Sequence, residues 1–154
     1  SPIPDLSPRH RRAWAAPTLG ASEVGGTMSD HNRPDRPTYS SRLLGQYGED
    51  RAQRWYLERG YVLHDRNWRC SDGELDLVLG HVEGSEHTIV FCEVKTRTNH
   101  RFGSPFEAVG RDKQRRLRKL AMLWLAAHDI SAHHLRFDVV AVISGRVEVL
   151  QDAF

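Results

Sequence analysis

Lysine is scarce in this chain: of its 22 basic residues only Lys95, Lys113 and Lys119 are not arginine. Arginine keeps its proton under all ordinary conditions, whereas lysine offers a compact charge that shifts readily when buried. Where a chain built on arginine spends a lysine is therefore a hint of chemistry. Cysteine is rarer still. Cys70 and Cys92 are too few for a disulfide framework or a zinc knuckle, and both are expected to be reduced. The chain has no run of eighteen apolar residues, and its first residues lack the continuous apolar centre of a secretory signal. These absences argue against a membrane partner and lead us to expect a cytoplasmic protein.

Proline is almost missing after residue 40, since six of the seven fall before it. Residues 1–40 read as a disordered arm rich in proline and arginine, with no apolar periodicity. Its five basic and four acidic residues do not make it a nucleic-acid-binding tail, and Met28 is a candidate initiator within it. Residues 41–154 form the expected domain, long enough to bury a core. The net charge of +2 hides one concentrated segment: Arg111 to Lys119 holds six basic residues and one acid. A local cluster matters more to a polyanionic partner than the total does.

Helical spacing of Leu44, Gly48, Ala52, Trp55 and Tyr56 predicts a helix from Ser41 to Arg59, capped by Ser40 or Ser41 and stopped by Gly60. A strand follows from Tyr61 to Arg69. Two further strands, 73–79 and 88–97, are separated by residues 80–87 with two glycines, in the manner of a hairpin. Ser104-Pro105-Phe106-Glu107 reads as a capping box opening a short helix that Gly110 interrupts. A second long helix is expected from Arg111 to His128, with Leu117, Leu120, Ala121, Trp124 and Ala127 or His128 inward and Arg111, Arg115, Arg118 and Lys119 outward. Strands 135–143 and 146–150 close the chain around Ser144-Gly145. The fold class is α/β, a mixed central sheet flanked by helices in the order α-β-β-β-α-β-β.

The hairpin carries the chemistry. In a strand, residues two apart share a face about 6.8 Å apart, so Glu93 and Lys95 point one way and Cys92 and Val94 the other. On the partner strand Leu75, Leu77 and Leu79 are expected on one face and Glu74 and Asp76 on the opposite one. Strands pair at roughly 4.8 Å, which would let Asp76 and Glu93 converge on one divalent cation with Lys95 beside it. Carboxylates and an ammonium amid apolar strand residues cost folding energy unless paired or bound to metal. An acid, sixteen residues, then Glu-x-Lys is the pattern of the PD-(D/E)xK nucleases. Two carboxylates and a phosphate suit Mg²⁺, or Mn²⁺ in its place. Such an ion would activate water for in-line attack on phosphorus, with Lys95 orienting the water or neutralising charge on the phosphorus.

Several segments together resemble the YraN family of bacterial proteins. They are Gly45-Gln46-Tyr47-Gly48-Glu49, the strand around Asn67, Gly73-Glu74-Leu75-Asp76-Leu77-Val78, Phe91-Cys92-Glu93-Val94-Lys95-Thr96-Arg97, Phe106-Glu107-Ala108-Val109, Lys113-Gln114-Arg115-Arg116-Leu117 and Arg136-Phe137-Asp138-Val139-Val140. The resemblance covers residues 41–150, and that family is similar to archaeal Holliday-junction resolvases of the restriction-endonuclease-like superfamily. It implies a restriction-endonuclease-like sheet and a nuclease site. Asp76, Glu93 and Lys95 match the central triad, Glu49 matches the helical acid that helps hold the metal, and Gln114 matches a polar position that could bond a phosphate or a metal-bound water. Leu75 stands where the superfamily's proline would be; proline supplies no ligand. Glu74 is expected as a further ligand or an arginine's partner.

Outward arginines on a helix are usually a solvated face, but a nearly one-signed cluster beside a phosphodiesterase site suits phosphate contact. Arg97, Arg111, Lys113, Arg115, Arg118 and Lys119 form the expected DNA track, extended by Thr96 and Arg101. Trp68 and Phe102 are expected as core or loop anchors rather than base-stacking platforms. His133-His134 reads as a strand-entry turn, and Asp138 as a partner of Arg136 or a helix terminus. The expectation is metal-dependent hydrolysis of DNA, branched or otherwise structured. The rivals are a catalytically inactive nucleic-acid-binding module and a protein-interaction module, with a homodimer compatible with each.

Overall fold

Alternation along the strands decides which helix each face of the sheet receives. Val90 and Cys92 of one strand and Val140 and Val142 of its neighbour pack with Ala52 and Tyr56 of the first helix. Their alternate residues, Ile89 and Phe91 and then Phe137 and Val139, pack with Leu117, Leu120, Ala121 and Trp124 of the second. The computed structural model describes residues 39–99 and 103–154. Its elements are α1 (Tyr39–Leu57), β1 (Val62–Cys70), β2 (Gly73–Glu83), β3 (Glu86–Arg97), a 3-10 turn (Pro105–Ala108), α2 (Arg111–His128), β4 (His134–Ile143) and β5 (Arg146–Leu150). The sheet runs in the order β1-β2-β3-β4-β5. Only β3 and β4 are parallel, because α2 provides the crossover that parallel strands need. The mixed α/β sheet expected from the sequence is thus present, with one helix over each face. Among the described residues no helix is long and apolar enough to cross a membrane.

Three expectations need correction. Helix α1 opens at Tyr39, so Ser40 and Ser41 stand in its first turn instead of capping it. The hairpin is tighter than the glycine spacing suggested: β2 reaches Glu83 and β3 begins at Glu86, and Gly84 at φ +60° makes the turn. Leu75 does not share a face with Leu77 and Leu79. Those two pack under α1, whereas Leu75 joins Val78 under α2. The alternation slips where Asn67 faces Asp76, between the pairs Arg66↔Leu77 and Trp68↔Leu75. Asn67 has φ +52°, a left-handed conformation that asparagine tolerates better than most residues. Ala127 and His128, the two alternatives for the inward end of α2, are both exposed, although the His128 ring stacks on Trp124 at 4.3 Å. The arm expected before residue 39, with Met28, lies outside the described residues, as do Arg101 and Phe102.

Helix α1 lies on β3 at Gly48. A methyl group there would collide with Thr96 Oγ1 and stand 3.0 Å from Thr96 Cβ and 3.2 Å from Cγ2. No rotation of the threonine clears all three atoms, so the helix would have to lift. We expect Gly48→Ala to cost about 1–3 kcal/mol by overpacking, measured by urea denaturation. A companion Thr96→Gly change should recover most of the loss; a Gly48→Ala protein as stable as wild type would mean that α1 slides freely.

Candidate active site

The ladder between β2 and β3 runs from Glu83↔Glu86 down to Leu77↔Cys92 and ends there. The next facing positions are Asp76 and Glu93. In place of a further strand-to-strand bond, the Val94 N–H donates to Asp76 Oδ2 at 2.8 Å. The Asp76 carboxyl therefore sits in the fork between two strands, anchored to the backbone of the strand that carries Glu93 and Lys95.

Glu93 continues the Ile89 and Phe91 series on the α2 face and is only 5% exposed. A carboxylate so deep needs charge partners, and it has two. Lys95 Nζ and Lys113 Nζ each lie 3.0 Å from Glu93 Oε1. Lys95 follows from the period of the strand. Lys113 comes from the first turn of α2, so the pair assembles only when that helix docks.

Burial, and next the charge of Glu93, push the Asp76 carboxyl up to about 7. The Val94 N–H and Lys113 oppose the rise, and Glu49 adds to it. Burial and the charge of the neighbouring Glu93 thus disfavour a second negative charge in the fork, which is the condition a divalent cation relieves. Both acids are hard oxygen donors, and Mg²⁺ commonly takes one or two carboxylates and completes its shell with water and phosphate. Asp76 and Glu93 are the residues that could hold such an ion. Among the described residues no three His, Cys, Asp or Glu side chains are grouped closely enough to hold a metal together.

Glu49 stands next to Gly48, whose close seat on Thr96 brings this part of α1 down onto the sheet. Its carboxylate is held from β1: Arg66 Nε donates to Oε2 at 3.2 Å and Asn67 Nδ2 at 2.9 Å. Arg66 also bonds Asp50 at 2.6 Å and Gln53 at 3.1 Å, so it clamps one side of α1. Glu49 is within electrostatic reach of Asp76, with its oxygen engaged by β1. The Gln114 side chain is engaged elsewhere: its Nε2 donates to the Val109 carbonyl at 3.0 Å and braces the junction ahead of α2. Glu74 pairs with Arg69 at 3.0 Å, the second of its two expected roles.

The basic helix divides. Lys113 turns inward to Glu93, Arg115 pairs with Asp112 on its own helix at 2.7 Å, and Lys119 pairs with Asp72 at 2.6 Å. Arg111 is exposed, Arg118 lies 5.3 Å over the Phe154 ring, and Arg97 donates to the Thr96 carbonyl at 3.2 Å. Trp68 packs against the core under α2. Two roles escaped the sequence reading. The contact of Lys113 with Glu93 had a signal, the scarcity of lysine, but period arguments place side chains only within one element. The Arg66 clamp had none, since nothing in the order of residues sets one arginine of β1 apart.

The description "Uncharacterised protein family UPF0102" matches residues 48–142, a span that contains the fork, both lysines and the helical acid. A UPF0102 protein of Beutenbergia cavernae is 53% identical over 103 residues, covering 67% of this chain and 84% of its own length. One of Frankia alni is 49% identical over 116 residues, covering 72% and 93%. A third, of Rhodococcus jostii, is 46% identical over 116 residues, covering 72% and 95%. These likenesses reach past both ends of the fork and agree with the motifs that resemble YraN: the chain belongs to the UPF0102, or YraN, family.

Proposed function

We propose that the chain is a Mg²⁺- or Mn²⁺-dependent nuclease that hydrolyses phosphodiester bonds in DNA, with branched or structured DNA as its substrate. The observation that carries this reading is the fork itself: Asp76 and Glu93 on facing positions of adjoining strands, with Lys95 Nζ 3.0 Å from Glu93. A divalent cation held by Asp76 and Glu93 would supply acidified water and charge stabilisation at the leaving oxygen. Lys95 orients the attacking water or offsets charge gathering on phosphorus. Arg66 and Asn67 fix Glu49 at the rim, where its charge adds to the attraction for a cation. Arg97, Arg111, Arg115, Arg118 and Lys119 line the approach for the phosphate backbone.

The test is a cleavage screen with Mg²⁺ and Mn²⁺ on single-stranded, duplex, flap and four-way DNA. Wild type should cut at least one of these, and Lys95→Ala should lose about 10² or more in rate while melting as a folded protein. Wild-type protein that cuts none of them while binding DNA in a salt-dependent way would replace the nuclease with a binding module on the same fold.

A further inference from the structure

One carboxylate needs one cation, and Glu93 has two on a single oxygen, Lys95 and Lys113 both at 3.0 Å from Oε1. Two ammonium groups converging on one atom repel each other, so the weaker-held of the two is poised to leave. Their tethers differ. Lys95 belongs to β3, whose register is fixed there by the pair Lys95↔Ala141. Lys113 is a side chain of the first turn of α2, where the positive end of the helix dipole disfavours a cation. Its side chain is also the more exposed, 34% against 23%. Every one of these features makes Lys113 the replaceable partner.

We propose that Lys113 is an exchangeable counter-ion of Glu93: it occupies the carboxylate while no divalent cation is bound, yields when one enters between Asp76 and Glu93, and then contacts a phosphate of the substrate strand. This rests on the metal reading of the fork given above. A cation at about 2.0–2.1 Å from a carboxylate oxygen takes the place of the weaker ammonium contact. The released lysine remains at the mouth of the site with its charge uncompensated, which a phosphate then satisfies. Metal and DNA become positively linked, each tightening the other by the same factor. The second lysine thus holds the Glu93 carboxylate in place when the site lacks metal, and reports metal occupancy to the substrate.

The experiment is calorimetric titration of Mg²⁺ and Mn²⁺ into the whole protein without DNA, for wild type, Lys113→Met, Lys113→Arg and Asp76→Asn. It is followed by DNA binding with Ca²⁺, which replaces Mg²⁺ to suppress cleavage, or with a chelator. Removing the competitor should tighten metal binding in Lys113→Met by about fivefold or more, whereas Lys113→Arg should stay near wild type. The gain in DNA affinity that Ca²⁺ gives wild type should vanish in Lys113→Met, with the salt slope lower by about one. Should the methionine variant not fold, Lys113→Gln carries the same expectation. Metal binding unchanged or weakened by Lys113→Met would overturn the exchange, and tighter metal binding with the Ca²⁺ gain intact would overturn the transfer to phosphate. Either result leaves the metal reading standing as long as wild type binds the ion and Asp76→Asn does not; a wild type that binds no divalent ion sinks both.

Discussion

Asp76→Asn should abolish DNA hydrolysis and at the same time make the metal-free protein more stable at neutral and alkaline pH. The folded protein holds the Asp76 proton up to about pH 7, against an ordinary value of 3.8. Between those two values the folded state binds a proton that the unfolded state has released, so stability falls as pH rises through this window. Below it, both states are protonated and the site imposes no penalty. A shift of this size corresponds to on the order of 2–4 kcal/mol once solvent around a half-buried carboxyl is allowed for. Asparagine keeps an oxygen for the Val94 N–H and never ionises, so the variant should escape the loss. His64, whose burial and His128 neighbour lower its proton affinity, contributes the opposite slope, and comparing variant with wild type cancels it. Denaturation with a chelator at about pH 5 and about pH 8 should show the variant's lead over wild type widening from the lower pH to the higher. Adding Mg²⁺ should raise the melting temperature of wild type by linkage and leave that of the variant unchanged. A wild-type stability that does not decline with pH relative to Asp76→Asn would mean that the two acids do not share the fork.

The second large effect lies on the opposite face of the sheet. Asp138 is 1% exposed, yet all its acceptor capacity is directed at donors. Tyr56 Oη donates at 2.7 Å, Arg136 Nε and Nη2 at 2.9 Å each, and the Asp152 N–H at 3.0 Å. Arg136 Nη2 also donates to Tyr61 Oη at 2.9 Å. Burial, together with the neighbouring Cys92 and Asp138, pushes the Tyr56 hydroxyl far up, so it remains a donor. Burial works against the Arg136 charge, but its bonds to Asp138 and Tyr61 outweigh that and hold its proton more tightly than usual. Three parts of the chain, α1, β4 and the turn after β5, therefore meet on one carboxylate. Asp138→Ala should cost about 3–5 kcal/mol, because it takes the charge partner from the half-buried Arg136 guanidinium and the acceptor from the buried Tyr56 hydroxyl. Asp138→Leu combined with Arg136→Leu and Tyr56→Phe should recover much of this, since removing a buried polar group with its partners is far cheaper than removing it alone. Chemical denaturation that places Asp138→Ala within 1 kcal/mol of wild type would show that water already reaches this network.

Much of the fold was legible because its signals are local. Period-two alternation in 88–97 and 135–143, the 3.6-residue stripe of Leu117, Leu120, Ala121 and Trp124, and the glycine at Ser144-Gly145 each act within a few residues. Together they are enough for the element order and for the mixed sheet. The error at Leu75 has the same origin. A strand read by alternation alone has no way to register a break in its period, and beside Asp76, across from the left-handed Asn67 stretch of β1, the leucine takes the other face. Asp76 and Glu93 could be set on neighbouring strands, with Lys95 two residues on from Glu93, because both segments carry a two-residue period; the tight turn that fixes their register came only with the structure.

What the order of residues determined by itself is the identity of the strand-borne groups and, along β3, the face each takes, since an unbroken strand's geometry relates i to i+2 without help from the rest of the chain. Docking decided the remainder. Lys113 reaches Glu93 because α2 packs on one face of the sheet, Glu49 reaches β1 because Gly48 lets α1 settle on Thr96, and Tyr56 meets Asp138 across 82 positions of sequence. Those contacts depend on how helices seat on a twisted sheet, a matter of close packing among distant side chains, and no local periodicity encodes it.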